Sequence, residues 1–343
     1  VANTLRHSLF SVQDHHPRHA RTLPQLYAEV IEQCEIAERL GYHTFFVAEH
    51  HFHEYGAVPN PAVFLTALAQ RTQRIRLGSA IAILTFHNPL TVAENYAMVD
   101  VLSQGRLTLG VGSGYLKHEF EGYAIDGAEK RERFDENLMI LERALSGERL
   151  NHAGKFGSYR DVALQVLPLQ KPTPPIYIAV LRKEAAYHVG RQGRNILAVP
   201  YATVERFEEV AELVAEYRRG YAESGAAGHG DAIIAFHTHA ADSDAKARER
   251  AEAAFNLYVE TRLYAKRQTY DDILASGLGL FGSPDTVLEK ILRLYEMGID
   301  HVMHLQNFGM MPQAHVLDSM RLTAEEVMPR AEARLASQVP RAR

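Results

Sequence analysis

One order of elements recurs along this chain without any repeat of the sequence itself: a short apolar β-rich run, a loop, then an amphipathic helix. Residues 8–12 form a first apolar run, and 24–40 place Leu26, Val30, Ile31, Ile36, Ala37 and Leu40 at helical spacing ahead of Gly41, a natural helix C-cap. Strand-like runs at 43–48, 75–84 and 106–111 alternate with helical runs at 61–71, 90–102 and 128–145. After a Gly- and Pro-rich excursion over 147–175, which reads as a small hairpin, strands at 176–180, 196–199, 232–239 and 301–305 alternate with helices at 183–192, 204–221, 284–297 and 313–335. Eight βα units in 343 residues predict a (β/α)8 TIM barrel, an α/β fold, rather than an open doubly wound sheet. The barrel is expected to occupy residues 1–343 as one domain, with insertions before the fifth strand and between the seventh and eighth.

Composition narrows the function classes. Lys plus Arg is 37 and Asp plus Glu is 42, without blocks of like charge, so the footprint of a nucleic-acid binder is missing. The one cysteine, Cys34, rules out an internal disulfide and a cysteine-based metal site, and reads as core filler. No apolar run approaches the roughly 20 residues that span a bilayer, and residues 1–10 do not read as a signal peptide, so no membrane segment and a cytoplasmic location are expected.

Barrel enzymes work at the C-terminal ends of their strands, and here those ends are rich in His, Gln, Asn and Gly. The second strand runs into Glu49-His50-His51-Phe52-His53-Glu54-Tyr55, where imidazoles suit proton transfer because their pKa lies near working pH. His50 and His51 are expected to face opposite ways, and the spacing is not that of a zinc helix, so no metal is expected. Residues 109–115 read LGVGSGY, but Tyr115 stands where a dinucleotide fingerprint needs its third glycine, and no helix opens at once. A tight strand exit and close approach of a flat ring both remain open for these glycines. Arg131, Arg133, Arg182 and Lys183 lie near strand ends and helix starts, which suits a phosphate as well as a solvated face. His237 and His239 share one strand face, with barrel packing or a pocket wall favoured over metal binding.

Residues 48–115 carry Glu49-His50-His51-Phe52, Asn60-Pro61, Leu77-Gly78-Ser79-Ala80, His87-Asn88-Pro89, Ala93-Glu94 and the run LSQGRLTL over 102–109. In this order and spacing they resemble the bacterial luciferase family, the flavin-dependent luciferase-like monooxygenases. Residues 175–193, 282–301 and 319–329 match more loosely, and 201–279 least. The resemblance implies a barrel with a reduced flavin over its C-terminal strand ends and a homodimer formed through the helices after strands two and three. His50 takes the place of the family's catalytic histidine, with Glu49 beside the flavin. Ala80 and Ile81 occupy the step of a non-prolyl cis peptide under the ring; Gly112 and Ser113 fall at flavin-lining positions, and Arg131 on an arginine that holds the phosphate.

The chain also departs from the family. Gly112 and Ser113 replace the luciferases' reactive cysteine and a phosphate-binding arginine, while Leu181, Arg182 and Ala185 replace a Glu-Ser pair and a following Thr that grip phosphate. The phosphate site is therefore expected to be rebuilt with Arg182 or Lys183, and light emission is not carried over. What the resemblance implies is a monooxygenase that takes reduced FMN from a separate flavin reductase and uses O2 to oxygenate a small organic substrate. A deazaflavin-dependent hydride-transfer oxidoreductase on the same fold and a non-catalytic flavin-binding protein are the alternatives. A lid is expected over 261–282, pivoting at Gly277, Gly279 and Gly282, with Tyr264, Tyr270 and Phe281 as apolar cover.

Overall fold

The structure, a computed structural model, describes residues 5–202, 204–262 and 268–337. Its strands are β1 (Arg6–Ser11), β2 (Thr44–Val47), β3 (Arg76–Ile83), β4 (Leu107–Gly112), β5 (Leu150–Ala153), β6 (Ser158–Val162), β7 (Ile176–Val180), β8 (Asn195–Ala198), β9 (Ala232–Ala240), β10 (Leu280–Gly282) and β11 (His301–Asn307). Eight of them, in the order β1-β2-β3-β4-β7-β8-β9-β11, pair in parallel, and β11 returns to β1 to close the barrel. The helices are α1 (Leu23–Leu40), α2 (Pro61–Ala69), α3 (Pro89–Leu102), α4 (Lys117–Gly122), α5 (Lys130–Leu145), α6 (Lys183–Arg191), α7 (Phe207–Ser224), α8 (Asp244–Thr261), α9 (Tyr270–Ala275), α10 (Pro284–Glu296), α11 (Gln313–Leu322) and α12 (Met328–Ala336). The Asn-Pro pairs are helix starts: Asn88 Oδ1 accepts the Leu90 amide at 2.9 Å and Asn60 Oδ1 the Val63 amide at 3.4 Å, each with proline at the first helical position.

The barrel interior is polar at its N-terminal end. Ser8 Oγ lies 2.7 Å from His301 Nε2, and His301 Nδ1 lies 3.4 Å from Asp231, which also accepts from the Tyr177 hydroxyl and the Arg6 guanidinium. That connectivity mimics a nucleophile triad, but Ser8 is fully buried, so the chain of bonds pins β1, β7, β9 and β11 together.

Three segments differ from the sequence expectation. Behind the glycine run, where no helix is expected to open at once, residues 117–122 form α4. The hairpin expected over 147–175 occupies only part of that stretch, with β5 and β6 paired antiparallel over 150–162. Within the expected lid, β10 pairs in parallel with β9 beyond the point where β8 leaves it, and Tyr270 and Phe281 stack at 5.0 Å as buried core residues. They are barrel packing and not lid cover; Tyr264 lies outside the described residues.

Candidate functional site

The C-terminal strand ends open into a cavity of about 970 Å³. Glu49, His50, Ala80, Ile81, Ser113, Arg131 and Arg182 all line it, joined by an apolar wall that includes Phe10, Val12, Leu197 and Val199. Two expected residues are placed elsewhere. Lys183 points away to Glu212 on α7, 3.0 Å distant, because successive residues at the start of α6 project in different directions. Gly112 sits one layer behind the wall: a Cβ there would lie 2.2 Å from Ile81 Cδ1. Its missing side chain is what lets Ile81 lie flat over β4. The Ala80–Ile81 peptide is cis, at the point where the β3–β4 register shifts.

His50 and His51 part at the end of β2. His50 faces the cavity, with Nδ1 3.2 Å from Glu119 Oε1, and the same oxygen accepts the His51 amide at 3.0 Å. Burial lowers the His50 pKa below its ordinary value, and Glu119 opposes that shift. The His50 position also depends on Gly56, whose φ is 78° and whose added Cβ would lie 2.2 Å from His50 Cβ. The His51 ring is committed at both nitrogens. Glu49 Oε1 accepts from His51 Nε2 at 2.9 Å and from His87 Nε2 at 2.6 Å, so His51 Nδ1 is left to accept from the Tyr123 hydroxyl at 3.1 Å. Glu49 Oε2 accepts the Ile83 amide at 3.1 Å, tying this network to the cis-peptide shelf. Burial alone would raise the Glu49 pKa, but the two histidine hydrogen bonds hold it below the usual carboxylate range.

Glu49, His51 and His87 also bring one ligand atom each within 4.8 Å of one another, but at hydrogen-bond separations that the shared protons account for. His237, fully buried, is ringed by Tyr201, Phe255, Tyr258 and Phe308 at 4.4–5.2 Å, and His239 is likewise buried; both are packing. Arg262 closes the barrel mouth beyond His50: it reaches Asp14 at 2.6 Å and stacks over Tyr55 and Tyr258. Burial would raise the Asp14 pKa, but Arg262, His16 and the Gly309 amide pull it to about 2.

The cations gather at one end, where Lys130 and Arg131 open α5 and Arg182 stands at the N-cap of α6. Arg131 is half held by Asp135 at 2.9 Å, while Arg133 turns to Glu129 and the Phe156 ring. A flat shelf cleared by Gly112, an apolar wall and one cationic end with a helix N-terminus fit a planar ring that carries a single phosphate. Glu119 and Tyr123 were not singled out from the sequence, and His87 was named only as part of a motif, without a role. The signal available was Glu119 beside apolar Leu116 and Phe120, in a stretch that otherwise reads as polar loop.

Fold and site together define a (β/α)8 barrel with a ligand-sized cavity at its C-terminal face. The sequence profile of the luciferase-like monooxygenases matches residues 7–301, and the chain belongs to that family. It is 29% identical over 233 residues to the oxygenase component of flavin-dependent trigonelline monooxygenase from Acinetobacter baylyi, covering 67% of this chain and 64% of that one. The chain thus spans less than two thirds of that relative's length, as it does of two uncharacterised Sinorhizobium fredii proteins that it matches. An F420-dependent glucose-6-phosphate dehydrogenase from Microbacterium testaceum is 26% identical over 330 residues, covering 90% of this chain and 94% of that one. Among solved structures, monooxygenase RslO1 from Streptomyces bottropensis superposes with a TM-score of 0.89 at 28% identity, covering 95% of this chain and 99% of that one.

Proposed function

We propose that the chain is the oxygenase component of a two-component monooxygenase, which takes reduced FMN from a separate reductase and oxygenates a small organic substrate with O2. The observation that carries this reading is the cavity itself, with a buried histidine on its wall and one cationic end beside a flat shelf. The trigonelline relative, by name an oxygenase component, supports the division of labour. Bound there, reduced FMN would supply the two electrons that let one oxygen atom enter the substrate while the other leaves as water. Arg131, Arg182 and the α6 N-terminus would hold the phosphate, and Ala80 and Ile81 would support the ring. His50 would move a proton at the wall, while the apolar residues opposite exclude water.

F420-dependent hydride transfer is the second reading, favoured by the F420-dependent relative that spans nearly the whole chain. Rapid mixing separates the two. The first reading expects the protein with reduced FMN and air to consume oxygen through a transient absorbance that free reduced FMN lacks. Binding of oxidised F420 without any oxygen reaction of a reduced cofactor would select the second, and tight flavin without turnover a non-catalytic binder.

A further inference from the structure

Glu119 is a carboxylate with 1% exposure in a helix of six residues, and the ion pair its geometry makes is to His50. Burying a carboxylate is costly unless its oxygens are engaged, and both of its hydrogen bonds go to one segment: His50 Nδ1 at 3.2 Å and the His51 amide at 3.0 Å, on the same Oε1. A carboxylate only accepts. With Oε1 accepting the His51 amide, the Glu119 carboxylate faces His50 as an acceptor, which places the proton of their contact on Nδ1.

We propose that Glu119 is the positioning residue of this site. It fixes His50 as the Nδ1–H tautomer and thereby presents Nε2, as a proton acceptor, to the cavity that His50 lines. The remaining restraints agree. Gly56 packs under His50 Cβ, and the Tyr55 ring meets the imidazole edge-on at 5.1 Å, which supports the ring in this orientation. His51 cannot substitute, because Glu49 and Tyr123 occupy both of its nitrogens. Glu119 stands 69 residues from His50 in sequence, so the short helix α4 exists at this place to bring a carboxylate under the end of β2.

The role of His50 in turnover rests on the proposed function, but its tautomer does not. Ring nitrogen NMR on the full-length protein at neutral pH, with His50→Asn to assign the His50 signals, reads the tautomer directly. The wild type is expected to show a protonated Nδ1 and a lone-pair Nε2. In Glu119→Gln, which keeps the shape and loses the charge, a mixture drifting towards the Nε2–H form is expected. In the oxygen-reaction assay the same variant should keep its FMN affinity and lose about tenfold or more in coupled product formation, whereas Glu119→Asp should recover part of both readouts. A wild-type His50 protonated on Nε2, or an unchanged tautomer in Glu119→Gln, overturns the proposal. Absence of the protein-dependent transient when reduced FMN meets O2, with the tautomer as expected, sinks the monooxygenase reading and leaves the role of Glu119 standing.

Discussion

The two neighbouring histidines at the end of β2 differ in what their rings have left to offer. His51 is bonded at both nitrogens, while His50 keeps one nitrogen for the cavity. Under the proposed function His50→Ala should therefore leave fold and FMN affinity intact and lower product formation by about 10²–10⁴, with oxygen diverted to hydrogen peroxide. Product formed per oxygen consumed reads this, and unchanged coupling would make His50 structural. His51→Ala should be milder in turnover and should lower thermal stability, since it removes a partner from buried Glu49. The cationic end makes its own prediction: Arg182→Ala and Arg131→Ala should each weaken FMN and leave riboflavin unchanged. Loss of a charged hydrogen-bonded contact is worth roughly 1.5–3 kcal/mol, and Arg131, already shared with Asp135, should fall at the lower end. Equal affinities of the wild type for FMN and riboflavin would remove the phosphate site. At this scale the sequence was legible where a motif ends a strand, as at Glu49, His50 and Ser113. It was illegible where direction decides, since Arg182 and Lys183 are adjacent and diverge, and where a partner is remote, as for Glu119.

Elements were readable in proportion to their length. The alternation over α1, β2, α2, β3 and α3 shows whole turns of periodicity and explicit Asn-Pro starts, whereas α4 is too short to display a period and β10 hides among glycines. The final helix, expected as one run, is divided by a π-helical stretch at Thr323–Val327 just ahead of Pro329, which has no N–H to donate back into it. What the alternation of apolar residues does not show is how strongly burial perturbs the histidines of β1 and β9. Burial pushes His7, His237 and His239 down to about 3, with His301, Arg262 and Arg250 respectively adding to the shift. A histidine with a depressed folded pKa stays neutral in the fold while the unfolded chain binds a proton, so its contribution is present above about pH 6.5 and is lost as pH falls towards 3. Each such group should add a slope of up to ~1.4 kcal/mol per pH unit in that window. Denaturant unfolding at several pH values should show this, and His237→Phe, which suits the aromatic cage, should lower the slope by about one proton. A pH-independent midpoint between 6.5 and 4 would contradict it.

At the scale of the whole molecule, the barrel was legible because parallel strands in one sheet need a crossover each, and eight strand–helix units of this length leave few other closures. Which outer surface could meet another copy was not. Of the apolar residues on the two helices expected to pair, Phe64, Leu65, Leu68, Val92 and Val99 are buried against the barrel's own layers, and Met98 is exposed. The reason is physical: α2 and α3 are apolar nearly all round, so periodicity cannot tell the inward face from the outward one. The structure leaves Val63 69% exposed on α2 and Met98 51% exposed on α3, with Val101 and Leu102 also exposed on α3. These two helices pack side by side, and an exposed apolar surface spanning neighbouring helices suits pairing with a second copy about a two-fold axis. We therefore propose an isologous dimer through Val63, Met98 and Leu102. Light scattering at micromolar concentration should give twice the chain mass, and Val63→Glu with Met98→Glu should give monomers that keep the far-ultraviolet spectrum of the fold, because neither side chain is needed in the core. A wild-type monomer at that concentration, or a double variant that stays dimeric, would show that this face is not the one that pairs.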